Sequence, residues 1–372
     1  MNVYADNAAF KPLLPEVKKF IHNFIETDFR NPSAIYGSGR ATRQLIEQAR
    51  EQVAKAIGAD AEEIYFTSGA SEAINWFCRA DRAIYTTTIE HKAALRNANN
   101  FIPVSNTGRI DLDVFLRHCP RYGKVMVGWV NNEIGIIQPV KEIIDISHKK
   151  HSSILIDATQ AIGHIPINVH ELGVDFLVGS FGKLGGLTGS GFLYMRKGIC
   201  LEPMIKGGGQ ERGLRASTEN ILGILAGAMA ISIATQDIDI KMSQICKKRD
   251  KIISELLQIP KSHLNGGLDN RVCGNINMAF EGVEAESLVL QLDLKGVQVS
   301  AGSACNSASI EPSHVLKAIG LSDELARASI RITIDENITD EQIDYMVNTI
   351  KDCVTKMRQS SPLWKEICNE NN

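Results

Sequence analysis

Short apolar segments alternate with helical segments through the first half of the chain, and this alternation constrains the fold more than any other feature. Six apolar segments predict strands, at residues 63–67, 82–88, 124–130, 153–157, 174–180 and 191–197. Apolar residues at helical spacing occupy 15–26 and 41–58. Strands that alternate with helices build a mostly parallel sheet with helices on its faces. The sequence therefore predicts an α/β fold with a mostly parallel central sheet flanked by helices.

The pattern changes after residue 220. A long helical stretch at 220–257 is followed by the apolar runs NINMAF, GVQVSAG and SIRITI, which alternate with further helical segments. These runs predict the strands of a smaller α+β unit. The chain has 372 residues, of which 44% are hydrophobic, and this is enough for two domains.

Composition argues against several classes of protein. The 40 basic and 43 acidic residues give a net charge of −3 without a long like-charge run, so we expect neither nucleic acid nor a membrane surface as a partner. The first ten residues lack the pattern of a signal peptide, and no stretch approaches 18 apolar residues, so we expect a cytoplasmic protein. The eight cysteines contain no CxxC pair. The histidines other than His91 lack metal-ligand spacing, so we expect no metal site and assign them structural or surface roles.

Three features in the first half indicate a phosphate-bearing heterocyclic cofactor. The segment YFTSGASEAIN at 65–75 runs from a strand through a small-residue turn into a helix, where backbone N–H groups bind phosphate or form an ordinary helix cap. Asp157 ends an apolar strand, where its carboxylate either holds a proton on a ring nitrogen or caps the next helix. Lys183 lies between an apolar strand and a glycine-rich turn, as expected for a Schiff-base lysine. Together they favour pyridoxal 5'-phosphate (PLP).

Cys305 lies in the segment SAGSACNSAS, residues 300–309, which has no bulky apolar side chain. A structural cysteine is usually packed among apolar side chains. The small residues around Cys305 instead predict an accessible thiol on a mobile loop.

In these and several further motifs, the chain resembles the cysteine desulfurases of the NifS/IscS type, within the class V aminotransferase family of fold-type I PLP enzymes. The resemblance runs nearly end to end, through VYADNAA, RNPSAIY, TIEHKA, WVNNEIGIIQPV, IDATQAIG, GGGQERGLRASTEN and VSAGSACNSASIEPSHVL. It implies a fold-type I PLP-dependent transferase. The large PLP-binding domain would span residues 14–244. The small domain would combine 1–13 with 245–372 and carry the cysteine loop at about 300–313.

For the cofactor ring, the resemblance implies that Lys183 forms the Schiff base. Asp157 would pair with the pyridine nitrogen and Gln160 with the phenolic oxygen. His91 would stack on the ring and shuttle protons, and Asn132 would lie near both the phenolic oxygen and the substrate.

For the cofactor phosphate, the resemblance implies Ala70, Ser71 and Ser180 as ligands. Thr218 would reach the phosphate of the other subunit, which implies a homodimer with shared sites. The segment GGGQERG at 207–213 is then expected to be a flexible connection near the dimer interface.

For the substrate, the resemblance implies that Arg331 holds the carboxylate of L-cysteine, because a guanidinium pairs with a carboxylate through two parallel hydrogen bonds. Cys305 would take the sulfur as a persulfide, leaving L-alanine. It would then pass the sulfur to an iron–sulfur scaffold or another acceptor. Leu363 and Trp364 in the polar C-terminal tail predict either a docking site for that scaffold or a Trp364 that folds back onto its own domain.

Three departures from the family pattern leave alternatives open. Gly182 stands where the family has His before the lysine, Phe10-Lys11 stands for Thr-Thr, and Tyr36 stands near an expected His. The alternatives are a selenocysteine lyase or an aminotransferase of the same fold. A further one is a non-catalytic binding subunit of a sulfur-transfer network.

Overall fold

The structure is a computed structural model that describes residues 1–79, 83–302 and 311–369. Cys305, the predicted nucleophile, lies outside the described residues. The described strands are β1 (Val3–Tyr4), β2 (Ile64–Thr67), β3 (Ile84–Thr87), β4 (Asn100–Ile102), β5 (Lys124–Gly128), β6 (Ser153–Asp157), β7 (Phe176–Ser180), β8 (Gly191–Met195), β9 (Ser262–Leu264), β10 (Asn275–Phe280), β11 (Val297–Gln298), β12 (Ser300–Ala301) and β13 (Ser329–Thr333).

The described helices cover both faces of the sheets. They are α1 (Pro15–Ile25), α2 (Gly37–Ile57), α3 (Ala70–Cys78), α4 (Lys92–Leu95), α5 (Leu112–His118), α6 (Val140–Lys149), α7 (Val169–Leu172), α8 (Ile221–Ala234), α9 (Ile238–Leu256), α10 (Ala285–Asp293), α11 (His314–Ala318), α12 (Asp323–Arg327), α13 (Asp340–Ser360) and α14 (Pro362–Asn369). Short 3₁₀ turns occur at Ala61–Glu63, Phe181–Lys183 and Gln210–Gly213.

The larger sheet contains seven of these strands in the order β2-β8-β7-β6-β5-β3-β4. Strands β3 to β7 pair in parallel, and β8 runs antiparallel to β2 and to β7. This confirms the predicted α/β fold with a mostly parallel sheet. All six predicted strands are present, with ends that differ by three residues at most.

Alternation within the strands places the core on both faces of this sheet. Val125 and Val127 of β5 pack in one apolar cluster and Met126 packs in the other, because successive side chains of a strand point to opposite faces. Helix α2 covers the first face with Ile46 and Val53, both almost fully buried. The sheet is therefore buried on both sides, as a βα-repeat requires.

A second apolar core surrounds the antiparallel sheet β12-β13-β10-β9, with α9, α10 and α13 against it. Val3 and Ala5 from the N-terminus belong to this core, as do Ile238 and Met242 of α9. On this basis we propose the two predicted domains with one adjustment. The predicted boundary at 244/245 falls inside α9, and we place it in the turn before that helix.

In the segment 207–213, for which the sequence predicts a flexible connection, Gly207, Gly208 and Gly209 are exposed, whereas Glu211 is anchored. Glu211 is 6% exposed, and its carboxylate pairs with Arg50 at 2.8 Å. The same carboxylate accepts the backbone N–H of Phe66 in β2 at 2.8 Å. A buried ion pair thus ties this segment to the strand that leads into the predicted phosphate turn.

Within the described ranges, no single helix is both long and apolar enough to cross a membrane. The pair α8 and α9, bent by 73°, meets the length and composition test only when the two are taken together.

Candidate active site

A cavity of about 370 Å³ opens at the carboxyl ends of β3, β5, β6 and β7. This volume is within the usual range for a small-molecule site. Nine of the predicted site residues line it: Ala70, Ser71, His91, Asn132, Asp157, Gln160, Ser180, Lys183 and Arg331. Residues that sequence analysis did not assign to the site line it as well: Glu72, Glu90, Glu133, Thr159 and His314.

The predicted phosphate turn lies between β2 and α3. Gly69 adopts a φ of +152°, which a residue with a side chain rarely adopts, and α3 begins at the next residue. The first N–H groups of a helix have no intrahelical partner, so those of Ala70 and Ser71 are available to an anion. Burial raises the pKa of Glu72, but hydrogen bonds from Arg215 and Ser68 outweigh this and hold the pKa below its usual value. The turn is therefore fixed before any ligand binds.

The end of β6 carries the predicted acid. Asp157 is half-buried, and its Oδ1 accepts the backbone N–H of Thr159 at 2.9 Å. Gln160 donates from Nε2 to the Ala8 carbonyl at 3.0 Å. Thr159 Oγ1 is buried and lacks a hydrogen-bond partner among the described residues. An unsatisfied buried hydroxyl in the wall of a cavity is expected where a polar ligand belongs.

Lys183 ends the 3₁₀ turn that follows β7, and its Nζ donates to the Ala9 carbonyl. The residue before it, Gly182, is buried, and a Cβ built there would lie 3.2 Å from Cγ2 of Thr188. A histidine at 182 would therefore need Thr188 to shift. Lys11, another departure from the family pattern, pairs with Glu336 at 3.2 Å and so ties the N-terminal segment to the C-terminal part of the proposed small domain.

His91 caps α4 and faces the cavity wall. Its Nδ1 accepts the Ala93 N–H at 3.1 Å, so the neutral ring carries its proton on Nε2. Burial lowers the pKa of His91; the negative charge of Asp157 opposes this, and the positive charge of Lys183 adds to it. The ring is thus favoured in its neutral form.

Arg331 extends from the middle of β13 in the small sheet into the cavity wall. It is 1% exposed, pairs with Asp6 at 2.7 Å and donates to the Asn132 carbonyl at 2.9 Å. Its Nε is buried and lacks a partner among the described residues. A carboxylate is the natural acceptor for a buried guanidinium that still has a free donor.

The residues on both sides of segment 303–310 lie against the same cavity. Ser300 pairs in register with Arg331 and donates to Asp6 at 3.1 Å. On the other side, Ser313 donates to Glu133 at 2.5 Å, and His314 Nε2 bonds to the Glu90 carbonyl at 3.0 Å. The chain that carries Cys305 therefore leaves and re-enters at the cavity wall.

Two predicted site residues are not brought to the cavity in the described chain. Thr218 is exposed and does not line it, and Cys305 lies outside the described residues. His314, to which the sequence assigned a structural or surface role, does line the cavity. The signal was its position in SHVL, directly after the cysteine segment. Glu90 was also missed, although it precedes His91 in the motif TIEHKA.

The family model for aminotransferase class-V matches residues 3–346 of the chain. A cysteine desulfurase IscS from Methanosarcina thermophila is 40% identical over 97% of this chain and 94% of its own length. A cysteine desulfurase IscS from Dictyoglomus turgidum is 41% identical over 98% of this chain and 97% of its own. Among solved structures, a NifS-like protein superposes with a TM-score of 0.89 at 32% identity, covering 96% of this chain and all of that one.

Proposed function

We propose, from the premise that this chain belongs to the class-V aminotransferase family, that it is a PLP-dependent cysteine desulfurase. L-Cysteine and an enzyme thiol give L-alanine and an enzyme persulfide. One observation carries the proposal. Asp157 at the end of β6, Lys183 in the turn after β7 and Arg331 on β13 surround one cavity, and the chain on both sides of the Cys305 segment contacts residues that line it.

The residues present fit the cofactor. The amine of Lys183 would be the attachment point, and the Asp157 carboxylate would pair with the pyridine nitrogen. The N–H groups of Ala70 and Ser71, with the Ser180 hydroxyl, would hold the phosphate. The unsatisfied Thr159 hydroxyl is a further donor to a polar group of the ligand. When bound, PLP stabilises negative charge at the substrate Cα.

Arg331 orients the substrate. Asp6 and the Asn132 carbonyl hold its guanidinium in place, and the remaining donors pair with the carboxylate of L-cysteine. The pairing is strong because the guanidinium is buried and prepositioned. With the carboxylate held, the amine of Lys183 takes the Cα proton. The neutral His91 donates a hydrogen bond from its Nε2–H to the ligand in the cavity.

Cys305 accepts the sulfur. Its thiolate attacks the substrate sulfur, an S–S bond forms and the C–S bond breaks. The electron pair of that bond stays on carbon, which is protonated to the methyl group of L-alanine. The proposal requires a thiol that a sulfur acceptor can reach, and the small residues that surround Cys305 in the sequence favour this.

We extend the proposal to a homodimer. Thr218 is exposed on a single chain, where it is available to the phosphate site of a second copy. An apolar groove lined by Phe20, Phe24, Leu45 and Met229 offers a surface for such contact.

The acceptor protein stays a prediction. The guanidinium carbon of Arg358 lies 3.9 Å from the centroid of the Trp364 ring, which supports the alternative in which Trp364 folds back onto its own domain. Leu363, in contrast, is 41% exposed.

The test is to incubate purified holoenzyme with L-cysteine and quantify L-alanine, sulfide released by a reductant, and keto acid. We expect equal amounts of alanine and sulfide, and loss of both with the visible cofactor band in Lys183→Ala. The matched control, Lys197→Ala, changes an exposed lysine and should keep alanine formation, sulfide formation and the visible cofactor band. Keto acid in place of alanine would establish the aminotransferase alternative. Activity confined to selenocysteine would establish the lyase alternative, and no turnover would leave the non-catalytic one.

A further inference from the structure

Two cysteines outside the cavity face each other in the small domain. Cys246 lies on α9, and Cys273 lies in the segment that leads into β10. Their Sγ atoms are 2.6 Å apart, and both residues are half-buried. This separation exceeds the S–S bond length of about 2.05 Å by only about half an ångström. The two sulfur atoms are therefore positioned for bond formation.

Surrounding contacts hold this approach in place. Arg249, one turn along α9 from Cys246, is 7% exposed and donates to the carbonyl oxygens of Arg271 and Val272 at 3.0 and 3.4 Å. The carbonyls that it binds directly precede Cys273. The helix and the segment are therefore fixed to each other beside the two thiols.

The segment around Cys273 also touches the active-site elements. Val272 donates to the Gly135 carbonyl at 2.9 Å, three residues from Asn132. Gly274 accepts from the backbone N–H of Ile334 at 2.9 Å, just past β13 and its Arg331. A disulfide between Cys273 and Cys246 of α9 would therefore restrain the segment that contacts both Gly135, near Asn132, and Ile334, near Arg331.

We propose that Cys246 and Cys273 are a reversible thiol–disulfide modification site, oxidised by a two-electron oxidant of the peroxide class. The Cys246 thiolate attacks peroxide, the O–O bond breaks, and hydroxide leaves and becomes water, so that Cys246 becomes a sulfenic acid. The Cys273 thiol then attacks that sulfur, the S–S bond forms, and the second water leaves. Each sulfur loses one electron. Disulfides of this kind in reducing compartments are mostly transient and redox-sensing.

The order of the two steps follows from the environment of Cys273. Burial raises the pKa of its thiol to about 12, and the hydrogen bond with Cys246 adds to this. Cys273 is therefore held as a thiol and suits the second step, whereas Cys246 supplies the first nucleophile.

The experiment treats the holoenzyme with hydrogen peroxide, blocks the remaining thiols in denaturant and digests with trypsin without reduction. Cleavage at lysine and arginine places Cys246 alone in peptide 242–247 and Cys273 alone in peptide 272–295, while Cys305 falls in 296–317. We expect the 242–247/272–295 linkage to exceed any other cysteine pair by at least about tenfold, since the two thiols are preorganised. Dithiothreitol should remove it.

Two variants sharpen the result. Cys246→Ser should form no such linkage and should keep its basal desulfurase activity, whereas Cys200→Ser, at an exposed cysteine, should form it at the parent level. Recovery of Cys246 and Cys273 as separately blocked thiols, under conditions that oxidise Cys200, would overturn the proposal. A statistical mixture of disulfides would overturn it too. Neither outcome depends on whether the enzyme turns over L-cysteine.

Discussion

The carboxyl group of Glu90 is buried beside the cavity. Its Oε1 bonds to the Thr87 hydroxyl at 2.5 Å, and its Oε2 accepts the Gly128 N–H at 2.7 Å. Burial raises its pKa from 4.5 to about 7; the two hydrogen bonds act in the opposite direction, and the charge of Asp157 adds to the rise. Native Glu90 is therefore neutral in mildly acidic solution, where an unfolded chain has it ionised.

The Glu90→Gln substitution removes this titration with little change in shape. A glutamine copies the protonated acid, because its Oε1 accepts from Gly128 and its Nε2 donates to the Thr87 hydroxyl. In the parent, the native state binds more protons than the unfolded state between the two pKa values. Its free energy of unfolding consequently falls as pH rises through this window. With the shift from 4.5 to about 7, and about 1.4 kcal/mol per pKa unit, the full loss is about 3.5 kcal/mol. Roughly 2 kcal/mol of it falls between about pH 5.5 and 8.5.

The assay is urea unfolding of the parent and of Glu90→Gln at both pH values, followed by tryptophan fluorescence and far-UV circular dichroism. Other titrating groups are common to the two proteins, so the difference between their unfolding free energies isolates Glu90. We expect the variant to gain about 2 kcal/mol relative to the parent at the higher pH. If the difference in unfolding free energy between the two proteins stays constant with pH, the native carboxyl of Glu90 titrates as it does in the unfolded chain, and its pKa is not raised by burial.

Two further substitutions test the substrate contact and the buried ion pair. Arg331→Lys keeps the charge but loses the planar pair of donors, so the KM for L-cysteine should rise by about 10- to 100-fold; an unchanged KM in an alanine assay would remove Arg331 from the substrate site. Glu211→Gln leaves the Arg50 charge buried and should lower the free energy of unfolding by about 3 kcal/mol. Glu62→Gln, at an exposed residue that pairs with the exposed Lys197, should change it by less than about 0.5 kcal/mol, and equal effects in the two variants would show that the buried pair contributes nothing.

Much of the large sheet was predictable because its strands are buried on both faces. The runs at 124–128 and 153–157 are apolar and end in turn residues, so the pattern locates them almost to the residue. β1 has two residues and no periodicity of its own; it exists because Val3 and Tyr4 pair with β11. The short β4 and β9 went unassigned for the same reason.

The site was predictable where a motif carries its chemistry and not where tertiary contacts decide it. Asp157 and Lys183 stand directly after apolar strands, so topology brings them to one edge of the sheet. The raised pKa of Glu90 results from its burial, and the position of His314 results from the packing of the start of α11 against Glu90. Neither contact leaves a local pattern in the sequence. The role proposed for Thr218 would depend on a second chain.

The most direct measurement locates the transferred sulfur. Holoenzyme is mixed with one equivalent of L-cysteine, alkylated at once and digested with trypsin without reduction. The mass of peptide 296–317 is then measured by mass spectrometry. This peptide contains Cys305 as its one cysteine. We expect this peptide to gain one sulfur atom in step with the L-alanine formed, and we expect Cys305→Ser to keep the cofactor band but to form neither alanine nor persulfide. Alanine formation at the parent rate by Cys305→Ser, or the extra sulfur on another peptide, would contradict this expectation.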